Sequence, residues 1–79
     1  MSADPLVQVF ARVLKLPEDS VDDSIAPGNT STWDSLAAME LVAEIEGTFG
    51  VQLTTREIMK MRSLGLARET LRAKGVAGV

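Results

Sequence analysis

The chain has no cysteine and no histidine. Without cysteine there is no disulfide framework, no thiolate nucleophile and no cysteine-ligated metal. Without histidine there is no Ser-His-Asp or Cys-His catalysis and no histidine-held metal. Tyrosine is absent and Trp33 is the only tryptophan, so few rings are available to stack on bases. No apolar run approaches the roughly twenty residues needed to span a bilayer. The start, Met1-Ser2-Ala3-Asp4, lacks the basic and apolar regions of a signal peptide. These absences predict a cytoplasmic protein with no membrane partner. Repeats and low-complexity segments are missing too.

What remains is 79 residues, 46% of them hydrophobic. That is too apolar for a disordered tail and fits one small domain over residues 1–79 with a modest core. The net charge of −3 hides an asymmetry. Residues 33–50 carry Asp34, Glu40, Glu44 and Glu46 and no base, whereas residues 51–79 carry six bases against Glu57 and Glu69. The acidic stretch should steer toward basic partner surfaces. The basic charges of the tail are scattered and the whole chain is acidic, which argues against nucleic acid.

Asp4-Pro5 pairs an N-cap residue with a first-turn proline. Leu6, Val9, Phe10, Val13 and Leu14 follow at helical spacing, and Pro17 stops the run. Residues 17–33 are rich in turn formers and form a long connection, with Val21 and Ile25 as apolar anchors. Its acids lack the spacing of a calcium loop. Trp33 closes this connection, packing against it or meeting a ligand or partner. A second apolar-periodic run starts at Ser35 and ends at Gly50, a left-handed cap. Val51-Gln52-Leu53 reads as short and extended. Thr54 and Glu57 form a capping box for a short third helix. Ser63 caps a fourth, with Leu64, Ala67 and Leu71 on one side and Leu66 near it, although Gly65 weakens its first turn. The expected fold is all-α: a small four-helix bundle with helices at about residues 5–15, 35–49, 55–61 and 64–74 and a long loop between the first two. Met39, Met59 and Met61 are expected chiefly to fill gaps in the core.

The second helix carries two faces. On a helical wheel Ala38, Leu41, Val42, Ile45 and Phe49 form one apolar stripe, the core face. Leu36, Met39 and Ala43 form a second, smaller apolar face beside Ser35, edged by Glu40 and Glu44. Asp34 or Ser35 as a plain N-cap accounts for the helix start, but not for that second face. A serine hydroxyl at this position meets unpaired backbone N–H groups and the positive end of the helix dipole, which favours an attached phosphate. With no histidine to activate it, Ser35 is expected to be worked on by another enzyme.

Asp34-Ser35-Leu36, then Glu40-Leu41, then Glu46, Phe49 and Val51 resemble the acyl carrier proteins and the related peptidyl carrier proteins. The likeness extends to the first-helix pattern and the Leu16-Pro17-Glu18 turn. It implies a non-catalytic, monomeric carrier with the acyl-carrier-protein-like bundle. Ser35, flanked by Asp34 and Leu36, would bear a covalent 4′-phosphopantetheine whose thiol holds cargo as a thioester. Leu36, Met39, Glu40 and Glu46 match family positions that meet partner enzymes; Glu44 joins them from the wheel. The implied partners are a phosphopantetheinyl transferase, an acyl- or aminoacyl-loading enzyme, and a ketosynthase or other acyl-processing enzymes. In the family, the second and third helices border the shelter for an acyl chain.

Fatty-acid carriers commonly place a small pair before the aspartate, where this chain has Thr32-Trp33. Gly47 stands where an acid is frequent. Trp33-Asp34-Ser35-Leu36 looks more like discrete carriers of polyketide, nonribosomal-peptide or other secondary pathways. The alternatives are a peptidyl, aminoacyl or D-alanyl carrier, and an unmodified helical interaction module of the same fold.

Overall fold

The computed structural model describes residues 4–79, and the described residues are helical with no strand. Helix α1 spans Pro5–Leu14, α2 Ser35–Phe49, α3 Thr55–Lys60 and α4 Leu64–Ala73, with a 3-10 turn at Glu18–Ser20. The fold is a small helical bundle of the acyl-carrier-protein type with its long connection between α1 and α2. Among the described residues no helix is long and apolar enough to cross a membrane.

Helix α1 is the hub, packing against both α2 and α4. Asp4 caps it, its Oδ1 accepting from the N–H of Leu6 at 3.0 Å and of Val7 at 3.4 Å. Leu6, Val9, Phe10 and Leu14 are fully enclosed. The helix stops one residue earlier than expected because Lys15 adopts a left-handed conformation (φ 59°), and its N–H bonds back to Ala11 O. Leu16 N–H reaches the same carbonyl at 3.0 Å. Helix α2 contributes Ala37, Leu41 and Ile45 to the core, and α4 contributes Leu64, Ala67 and Leu71. Ala38, Val42 and Phe49 of the expected stripe are only half-buried, while Ala37 takes a core position. The buried residues of α2 run along Ala37, Leu41 and Ile45, so its core face is turned toward Ala37 from the centre of the expected stripe.

The connection is anchored by side chains and by backbone. Val21, Ile25 and Trp33 are buried. Trp33 meets Phe10 edge-on, ring centres 5.3 Å apart at 72°. Asn29 ties the turn together, accepting from Ala26 N–H and donating to Ser24 O, each at 2.9 Å. Further on, Leu64 N–H donates to Ile25 O at 3.1 Å and Gly65 N–H to Asp23 O at 3.0 Å. Two of the unpaired donors opening α4 thus find partners in the loop, beside the Ser63 cap. A Cβ at position 65 would lie 3.1 Å from Asp23 O and 3.2 Å from Asp23 Cβ. Gly65, an apparent weakness in sequence, is what lets the loop approach.

Helix α3 buries no residue and packs against α4. Both halves of its Thr54–Glu57 capping box form, and Lys74 Nζ holds the Glu57 carboxylate at 3.0 and 3.1 Å. The methionine expectation is corrected here. Met61 is in the core, but Met39 and Met59 are 70% and 69% exposed. Met59 lies on a six-residue helix that buries no residue, and Met39 lies on the second face of α2. Leu66 is likewise exposed.

Candidate functional site

Asp34 is the N-cap of α2: its Oδ1 accepts from Ala37 N–H and its carbonyl from Ala38 N–H, each at 2.9 Å. That leaves Ser35 as the first helical residue, relieved of capping. Its hydroxyl makes no hydrogen bond among the described residues, and the residue is exposed. The N–H groups of Ser35 and Leu36 also have no acceptor among the described residues. A hydroxyl and two free donors thus share the positive end of a fifteen-residue helix. An attached phosphate monoester or diester would meet both the donors and the dipole. Among the described residues no side chain is hydrogen-bonded to the Ser35 hydroxyl, so the geometry displays it to solvent.

Two depressions flank Ser35. One, about 280 Å³, is lined by Pro27, Trp33, Asp34, Ser35 and Ala38. The other, about 360 Å³, runs between the end of α1 and the start of α2, with Lys15 on one wall and Leu36, Ala37 and Glu40 on the other. Trp33 is 6% exposed: it is chiefly a core residue with one edge on the first depression.

Leu36 is 65% exposed and Met39 is 70% exposed, with Glu40 also in solvent. Met39, four positions on, lies nearly over Ser35, while Leu36 stands about 100° and Glu40 about 140° round the helix, so the three run from Ser35's side toward the acidic edge. Glu44 and Glu46 behave differently. Glu44 Oε2 accepts from Arg12 Nη2 of α1 at 2.8 Å. Glu46 Oε2 accepts from Leu53 N–H at 2.8 Å, and so holds the extended segment after Gly50 against α2. The acids of α2 therefore divide into Glu40, which has no partner among the described residues, and two that are engaged within the molecule. The wheel could not show this, because Arg12 is 32 positions from Glu44 in the chain. A cation on the exposed side of an otherwise apolar α1 was the available signal.

The chain matches the family described as phosphopantetheine attachment site over residues 4–67, which spans α1, the connection, Ser35, α2, α3 and the first turn of α4. No curated protein matches it.

Proposed function

Because the chain belongs to the phosphopantetheine attachment-site family, the carrier domains of the acyl carrier protein type, we propose that residues 1–79 form one carrier domain with Ser35 as its point of attachment. Domains of this family bear covalent 4′-phosphopantetheine and work with a phosphopantetheinyl transferase and acyl-processing enzymes. The observation that carries the choice of Ser35 is its free, exposed hydroxyl at the head of α2, beside a cap that belongs to Asp34. When attached, the arm supplies a thiol that holds cargo as a thioester.

The residues of this chain have positional tasks. Ser35 Oγ accepts the phosphopantetheinyl phosphate from coenzyme A, 3′,5′-adenosine bisphosphate leaves, and the serine proton passes to the transferase. Asp34 fixes the first turn so that this oxygen points outward. The free N–H groups of Ser35 and Leu36 favour the negative charge of the diester. Leu36 and Met39 give a partner an apolar contact, and Glu40 attracts its basic rim. A tethered arm then raises the effective concentration of cargo at the docked enzyme.

We read the chain as an acyl carrier of a polyketide or other secondary pathway; Trp33, in place of the small residue common before the aspartate of fatty-acid carriers, supports a secondary pathway over fatty-acid synthesis. Intact mass after incubation with coenzyme A and a promiscuous transferase tests the attachment. Wild type should gain one phosphopantetheinyl group and Ser35→Ala none. Modification of Ser35→Ala would refute the site; an unmodified wild type would favour an unmodified interaction module. Loading assays with acyl and aminoacyl donors then separate an acyl carrier from a peptidyl or D-alanyl carrier.

A further inference from the structure

If Ser35 carries the arm as proposed above, we further propose that Arg12 is a specificity-determining residue: it keeps Glu44 latent and so sets the length of the face that a basic partner can use. Arg12 Nη2 sits 2.8 Å from Glu44 Oε2. The pair joins the outer surfaces of α1 and α2, and both side chains remain substantially exposed, at 59% and 44%. Glu44 is one helical turn beyond Glu40. From Ser35, Glu40 lies about 7.5 Å along the axis and Glu44 about 13.5 Å. With Arg12 in place, the free acid nearest Ser35 on this face is Glu40, and the usable face is short. With Arg12 removed, Glu44 can meet a partner cation and the face lengthens by a turn.

The pair is weak enough to matter in this way. Exposed ion pairs contribute little to folding, so Arg12 is poorly explained as a stability device. A partner cation that reaches Glu44 must share its carboxylate with a guanidinium already seated on Oε2, or displace it. That disfavours partners whose basic residue lies a turn too far and leaves unaffected those that rely on Glu40. Lys15, the other cation near this face, lines the groove with Glu40 but makes no recorded bond to it.

The test is a double-mutant cycle in transferase kinetics, with coenzyme A and a phosphopantetheinyl transferase as the partner. The variants are Arg12→Gln, Glu44→Gln and the double, with Lys15→Gln as the control for removing one positive charge. Uniform field effects add and drop out of the coupling. Arg12→Gln should raise kcat/KM by about two- to five-fold more than Lys15→Gln does. Glu44→Gln should cost more in the Arg12→Gln background than alone. Equal costs in the two backgrounds would overturn the proposal, because Glu44 would then act through its field alone or not at all. A larger cost with Arg12 present would also overturn it, showing that Glu44 serves only to neutralise Arg12. Thermal melts check folding. A wild type that takes no phosphopantetheine refutes the Ser35 reading itself, whereas modification without the coupling refutes only the role of Arg12.

Discussion

Leu36 and Leu41 are five residues apart on one helix, and truncating each to alanine should have opposite consequences. Leu41 is 2% exposed and Leu36 is 65% exposed. A Leu→Ala change in a closed core costs about 2–5 kcal/mol, part transfer and part cavity. Full burial of a leucine is worth about 1.5–3 kcal/mol. Leu36 has about a third of that cover, and alanine is the better helix former, so Leu36→Ala should cost less than about 1 kcal/mol. In a domain of this size each kcal/mol moves Tm by about 4–8 °C. Leu41→Ala should therefore lower Tm by about 10 °C or more, while Leu36→Ala stays within a few degrees. Docking should reverse the order. An apolar side chain at the centre of a contact costs at least about 1 kcal/mol when removed, or about five-fold in kcat/KM for the transferase. Because that loss is in contact and not in steering, it should persist as salt rises. Glu40→Lys should instead slow the reaction most at low ionic strength. Melts and a salt series of transferase kinetics measure both quantities. If Leu36→Ala reacts like wild type at every salt concentration, the docking face lies elsewhere. If it melts as low as Leu41→Ala, Leu36 belongs to the core and not to a docking face.

Asp34→Ala should cost about 1 kcal/mol through the lost cap, visible as a lower Tm, and should slow modification by loosening the turn that presents Ser35. Gly50 has φ 66° with open space around it, so Gly50→Ala should cost about 1–2 kcal/mol from backbone strain alone. Arg68 spans Asp4 at 2.8 Å and Asp23 at 3.2 Å. Partial burial pushes the Asp4 carboxyl up, but Arg68 and the N–H groups of Val7 and Leu6 outweigh it and hold it below its ordinary value. Since the folded value is the lower one, the contribution is complete above the unfolded pKa near ~3.9 and disappears as pH falls through the folded value. Asp4→Asn should accordingly flatten the acid limb of Tm against pH, and a limb identical to that of wild type would contradict this.

The helix starts were legible because capping is local: Asp4, the Thr54–Glu57 box and Ser63 are read within a few residues. Gly50 was legible as a stop for the same reason. The second face of α2 was also legible, since Leu36 and Met39 follow from helical spacing alone. Contacts between distant segments were not. Nothing near Gly65 in sequence indicates that the carbonyl of Asp23 approaches it, and nothing near Glu44 indicates Arg12. Lys15 was misread because a left-handed lysine is uncommon, so its position looked like one more helical residue. Ala37 escaped the wheel because it stands about 200° from Ser35, between the expected stripe and the acidic edge.

Trp33, buried edge-on against Phe10, also gives the molecule a built-in spectroscopic reporter. The chain has no tyrosine and no second tryptophan, so its ultraviolet emission comes from one indole at the junction of the loop, α1 and the head of α2. Loosening of that junction should wet the ring and shift its emission to longer wavelength. A partner resting on Leu36 and Met39 leaves the ring enclosed. One fluorescence trace can therefore tell a carrier that has come apart at its loop from one that has merely been engaged, without a label on either protein.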